Sequence, residues 1–179
     1  MPEIEYITEV METEELLEKL CPPVRNWFKD KFPDFTHPQK VAIPSIMKGE
    51  HLLLCSPTGS GKTLTAFLTV INDLVSRSLD GTLDNSVQCM YISPIKALAN
   101  DIQKNLIGPL TEIKDSYLPS RAKDITVGLR TGDTPQKDRE RMLRKPPHIL
   151  ITTPESLGLA LASKRFRPIL NDMKWMIID

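Results

Sequence analysis

The chain has no net charge, since 23 Lys and Arg balance 23 Asp and Glu. No global basic field therefore draws it to nucleic acid or to an anionic membrane. No apolar run approaches the roughly 18 residues that suggest a bilayer span, and no signal peptide opens the chain. It reads as a cytosolic, cytoplasmic protein with no membrane partner. Cysteine is scarce: Cys21, Cys55 and Cys89 lie far apart without CxxC spacing. That excludes a disulfide or thiolate-metal framework and leads us to expect buried thiols in a reducing compartment. His37, His51 and His148 are equally scattered and read as structural rather than metal-ligating. Internal repeats and low-complexity segments are also missing.

The 179 residues have the size of one domain, enough to bury roughly 70% of the unfolded surface. Charge is uneven despite the zero sum. Residues 1–20 carry seven Glu against one Lys, a solvated face, while residues 121–148 carry eight Lys or Arg against four acids. The second cluster is a candidate anion-facing surface. "TEELLEKL", "PPVRNWFKDKF" and "HPQKVAIPSIMK" read as three helices, the last ended by Gly49. "HLLLC" and "VQCMYIS" are short apolar runs suited to buried parallel strands. Helical spacing of apolar residues follows Gly61 and resumes from Ile95. "ITVGL", "HILIT" and "WMIID" are further strands. Strands alternating with helices predict an α/β domain with a mainly parallel central sheet.

The run "SPTGSGKT" sits between a predicted strand and a predicted helix. In that setting backbone N–H groups can encircle phosphate oxygens. Gly59 and Gly61 permit positive φ and close approach, and the helix start adds free donors and partial positive charge. Lys62 can reach the β- and γ-phosphates, and the Thr63 hydroxyl can coordinate Mg²⁺. The general phosphate-loop pattern begins with Gly four residues before the GK pair, where this chain has Ser56. That departure argues against ordinary small-molecule kinases.

The whole run resembles motif I of superfamily 2 helicases, and other segments fall in that family's order. "FTHPQKVAIPSI" resembles the Q motif, "SPIKALANDI" motif Ia, "RTGD" the TGx-type motif and "TTPESL" motif Ib. "WMIID" resembles the front of motif II up to its Asp. Within the superfamily, "SPIKALA", "RTGDT" and "PPHILITTPESL" most resemble the large helicase-related (Lhr) branch. The resemblance spans roughly Phe35 to Asp179. It implies a three-layer RecA-like fold for residues 35–179, preceded by a helical lead-in over residues 1–34. It implies ATP and Mg²⁺ as cofactors, held by Phe35, Gln39, Ser56, Thr58, Gly59, Ser60, Gly61, Lys62, Thr63 and Leu64. Lys62, Thr63 and Asp179 would be catalytic, the last two on the metal side. Nucleic acid would meet Pro94, Ile95, Lys96 and Ala97, then Thr131, Gly132 and Asp133, then Thr152, Thr153, Pro154 and Glu155. The parent would be a 3′-to-5′ DNA translocase or helicase. It would act on single-stranded DNA or a tailed duplex, with RNA–DNA hybrids in some members.

Several of these residues also have plainer roles. Thr36 and Gln39 are spaced as a capping box, whereas the Gln39 amide could instead read adenine, whose N6 donor and N7 acceptor suit a carboxamide. Ser93-Pro94 and Thr153-Pro154 could be N-caps followed by proline, and Thr131-Gly132-Asp133 is a turn by composition. A strand ending in Asp beside a phosphate loop would place a carboxylate near Mg²⁺, usually through water. Because the sequence stops on that strand, we expect a fragment that lacks a second RecA-like motor domain. The competing function is a stand-alone nucleotide switch or regulator.

Overall fold

In the computed structural model, residues 4–94 and 96–179 are described, without the side chains of residues 96–101, 104 and 105. The chain divides into two compact units, residues 1–76 and 77–179.

The first unit is helical. It contains α1 (Thr13–Lys19), α2 (Pro22–Lys31), α3 (His37–Met47) and most of α4 (Lys62–Asp80). Pro22 and Pro23 open α2 at its first turn, where their missing N–H groups would have no intrahelical acceptor anyway. The glutamates of the acidic N-terminal stretch, from Glu5 to Glu18, are exposed as expected. Buried Leu16, Val24, Trp27, Phe28, Ile43, Phe67, Leu68, Ile71, Leu74 and Val75 form its apolar interior. On α4 these positions recur at helical spacing, so one face is apolar.

One predicted strand is missing. Residues 51–55, "HLLLC", form no strand and alternate between exposed and half-buried. An apolar run becomes a strand only when a neighbour supplies a ladder, and no ladder partner is found for it among the described residues. Cys55 is exposed on this stretch while Cys21 is half-buried and Cys89 buried. The expectation of three buried thiols therefore fails at Cys55, which depended on that ladder.

The second unit carries a four-stranded sheet in the order β2-β3-β1-β4. The strands are β1 (Cys89–Ile92), β2 (Val127–Arg130), β3 (Ile149–Thr152) and β4 (Trp175–Ile178), and every pairing is parallel. Between them run α5 (Lys96–Tyr117), α6 (Gln136–Arg144), α7 (Pro154–Ala162) and a short 3-10 helix at Arg167–Leu170. The central strands β1 and β3 are buried at every position, whereas β2 and β4 alternate at the edges. Apolar runs belong in the middle of such a sheet, because both faces are covered. Val87, Met90, Ile92, Met142, Leu150, Ala160 and Phe166 form one core cluster. Burial of side chains of this size contributes about 1.5–3 kcal/mol each. Gly128 on β2 lies where a Cβ would come within 2.7 Å of the Pro147 ring, so the edge strand accepts no side chain there.

Candidate functional site

The loop before α4 turns through two glycines with positive φ, Gly59 at 80° and Gly61 at 87°. Only glycine takes that conformation routinely. Helix geometry leaves the Lys62, Thr63 and Leu64 amides without intrahelical acceptors, and Thr65 N–H is the first to bond, to the Gly61 carbonyl at 2.9 Å. The Lys62 ammonium donates to the Ser56 carbonyl at 2.5 Å and the Pro57 carbonyl at 2.8 Å. The loop therefore curls around its own cation, with Thr58, Gly59 and Thr63 exposed. Ser56, which stands where the general pattern has Gly, shares a 2.6 Å hydrogen bond with the Ser60 hydroxyl. That bond clasps the two sides of the loop, a use a glycine could not supply.

The start of α3 is bound to this loop. Thr36 and Gln39 form the expected capping box, in which Gln39 Oε1 accepts the Thr36 N–H at 2.9 Å. The Thr36 hydroxyl donates to the Ser60 carbonyl at 2.9 Å. Gln39 is buried, and a Cβ on Gly61 would lie 2.9 Å from its Nε2. Capping thus engages the amide oxygen and turns the amide nitrogen toward the phosphate loop. Capping and ligand reading, which looked exclusive in sequence, use different atoms. Phe35 is buried, stacked on Phe28 with centroids 4.0 Å apart at 15°. Its ring is a foundation under Thr36 rather than a free stacking face. Beside it Asp34 accepts from the Thr13 hydroxyl and pairs with Lys40 at 2.9 Å. These two bonds, the first above all, hold its carboxyl below the usual pKa.

In the second unit the predicted residues gather at the carboxyl ends of the strands. Asp179 follows β4, its N–H donates to the Ile92 carbonyl at 3.0 Å, and its Oδ2 accepts from Tyr91 Oη at 2.5 Å. Burial first, and then Asp179, push the Tyr91 pKa well above its ordinary value, so the phenol is a permanent donor. Ser93 does not cap α5: its N–H continues the ladder to the Thr152 carbonyl at 3.0 Å, and the helix begins at Lys96. Ile95 and the side chains of Lys96 and Ala97 lie outside the described residues. Thr153 does cap α7, accepting from Ser156 N–H at 3.4 Å with Pro154 in the first turn. Thr152 is buried and donates to the Arg130 carbonyl at 2.8 Å. Pro154 and Glu155 are the exposed members of that group.

Thr131, Gly132 and Asp133 form the predicted turn, exposed at the last two positions. Its organiser is a residue the sequence gave no reason to single out. Arg139 on α6 donates to the carbonyls of Thr134 at 2.8 Å, Gly132 at 2.8 Å and Thr131 at 3.4 Å. Thr134 Oγ1 accepts the Thr131 N–H at 2.8 Å. Arg130 is buried with its guanidinium 4.1 Å from the Phe166 ring centroid. Burial, with the charge of Arg139, lowers its pKa. The turn borders a groove of about 400 Å³ along β2 and α6.

Among the described residues no cluster of three or more His, Cys, Asp or Glu could hold a metal alone. A cation here would take many ligands from nucleotide and water, which suits Mg²⁺ and the hydroxyl and carboxylate oxygens of Thr63 and Asp179.

Comparison with known proteins agrees with this arrangement. The DEAD/DEAH box helicase family matches residues 36–179. The chain belongs to that family. ATP-dependent helicase Lhr-Core of Sulfolobus acidocaldarius is 49% identical over 168 residues, 93% of this chain and 19% of that protein. The Lhr-Core helicase of Methanocaldococcus jannaschii is 47% identical, covering 100% of this chain and 22% of that protein. A solved structure of Mycobacterium smegmatis helicase Lhr, bound to ssDNA and AMP-PNP, matches with TM-score 0.81 and 42% identity. It covers 91% of this chain and 20% of that one. The chain thus spans about a fifth of the length of these relatives. The parallel α/β sheet is that of the family's RecA-like domains, as expected. Among the described residues no helix is long and apolar enough to cross a membrane.

Proposed function

We propose that residues 35–179 are the first RecA-like motor domain of an ATP-dependent helicase or translocase of the Lhr type, with residues 1–34 as a helical lead-in. The observation that carries this reading is the phosphate loop: two positive-φ glycines delivering Lys62 and Thr63 to the start of a 19-residue helix. Such a helix start offers free amides and partial positive charge to a polyphosphate. The likeness to a helicase solved with AMP-PNP and ssDNA supports ATP and single-stranded DNA as its ligands.

In this reading Ser56, Thr58, Gly59, Ser60, Gly61 and Leu64 surround the phosphates, with Lys62 meeting the β- and γ-oxygens. Gln39 contacts adenine through Nε2 while Oε1 stays on Thr36, and Phe35 anchors both from below. Mg²⁺, when bound, neutralises charge on the β- and γ-phosphates, and Thr63 and Asp179 would hold it. The exposed turn at Gly132-Asp133, the segment Pro94–Ala97 and the start of α7 would meet the sugar-phosphate backbone, which carries no sequence code. A tailed duplex, an RNA–DNA hybrid, 3′-to-5′ polarity, a second motor domain and a cytoplasmic setting belong to the same proposal.

Residues 1–179 would bind ATP yet turn it over negligibly. Hydrolysis also needs a carboxylate beside the attacking water and arginines from a second motor, and such an arginine alone accounts for about 10³–10⁵ in rate. Calorimetric titration of ATP-Mg²⁺ against GTP-Mg²⁺, followed by phosphate release with single-stranded DNA, tests both parts. Absence of ATP binding sinks the nucleotide site. DNA-stimulated release that Lys62→Ala abolishes would show a complete motor within these residues.

A further inference from the structure

From β1 the chain proceeds to β2 and β3 on one side of that strand and then to β4 on its other side. The strand order therefore reverses between β1 and β4. In open parallel sheets, ligands occupy the crevice outside the carboxyl ends at such a switch point. Tyr91 and Asp179 meet there from the two strands.

Asp179 is held at two points. Its N–H is fixed to the Ile92 carbonyl at 3.0 Å, and its Oδ2 accepts Tyr91 Oη at 2.5 Å. The Tyr91 ring is only 2% exposed, so its hydroxyl is delivered from a rigid platform. Asp179 itself is exposed. A carboxylate has about four acceptor directions, and the phenol takes one on Oδ2. The others remain for a ligand, with the rotation of the group arrested. A bond that only tied β1 to β4 would add little, because the strands are already laddered from Cys89↔Trp175 to Ile92↔Ile178.

We propose that Tyr91 is a positioning residue that orients the Asp179 carboxylate toward Mg²⁺ of a bound nucleotide. This rests on the proposed nucleotide site. Partners of a metal's ligands commonly set affinity by 10–100-fold in this way.

The test is calorimetric titration of ATP into the 179-residue chain over a series of free Mg²⁺ concentrations, with melting curves as a control of folding. Tyr91→Phe keeps the ring and removes the donor. It should raise about tenfold the Mg²⁺ concentration at which ATP binding is half-maximally tightened, leaving ATP affinity in EDTA unchanged. Asp179→Asn should raise the same midpoint, and adding Tyr91→Phe to it should do nothing more, because the phenol acts through that carboxylate. An unmoved midpoint in Tyr91→Phe, with Asp179→Asn still shifting it, overturns the positioning role and leaves the nucleotide site standing. A further shift in the double variant also overturns it. If neither single variant moves the midpoint, Asp179 is not a metal carboxylate and both readings fall.

Discussion

Gly59 and Gly61 have nearly the same backbone conformation but different surroundings, and alanine at each should separate strain from contact. A Cβ in the left-handed region costs about 1–2 kcal/mol, and that term applies to both. The entropy gained by restricting the unfolded chain is also common to both and cancels in their difference. At Gly59 a Cβ would meet nothing within 4 Å, whereas at Gly61 it would lie 2.9 Å from Gln39 Nε2. Gln39 is 3% exposed and cannot swing into solvent, so the amide must give up its bond to Thr36 N–H. Losing that capping contact costs about 1 kcal/mol. Gly59→Ala should therefore cost about 1–2 kcal/mol and Gly61→Ala about 2–3. In a Gln39→Ala background the obstacle is gone, and Gly61→Ala should fall back to the Gly59→Ala value. Urea unfolding with unchanged slope reads all four variants. Equal losses at the two glycines, or full additivity with Gln39→Ala, would refute the claim that the capping amide leans on the phosphate loop.

Other consequences follow from single groups. Lys62→Ala removes a charged donor, and ATP-Mg²⁺ affinity measured by calorimetry should fall by about 1.5–3 kcal/mol while the melting temperature stays near wild type. His148 is buried, and burial first, then the charge of Lys123, lowers its pKa from 6.5 to about 4. The fold therefore holds the imidazole neutral while the unfolded chain protonates. Stability from this group is full above about pH 7 and is lost as pH falls from 6.5 toward 4, a loss of about 1–2 kcal/mol once solvent screening is allowed for. Denaturation at stepped pH should show this slope and His148→Gln should flatten it. Arg139→Gln frees the carbonyls of the turn at Thr131–Thr134 without touching Gly132 or Asp133 directly. If that turn contacts one phosphate, the salt slope of single-strand binding, read by anisotropy, should drop by roughly 0.7; an unchanged slope removes the turn from the nucleic-acid surface.

Signals of short range were legible in the chain itself. The capping box at Thr36 and Gln39, the Thr153 cap, the Pro22-Pro23 helix start and the glycines of the phosphate loop each join residues three or four positions apart. Backbone chemistry settles such motifs before any packing occurs. The buried runs of β1 and β3 were readable for a related reason, since only a central parallel strand tolerates apolar residues on both faces. Tertiary structure decided what depended on distant partners. "HLLLC" has the composition of a strand, but composition cannot provide a ladder, and Cys55 is exposed with it. Ser93 left its expected capping role because Thr152, 59 positions away, offered its carbonyl to the ladder. Tyr91 and Asp179 are separated by 88 positions, and Arg139 reaches back over a whole turn. No periodicity records such pairs, because a hydrogen bond between side chains constrains their positions in space and leaves no pattern in the residues between them.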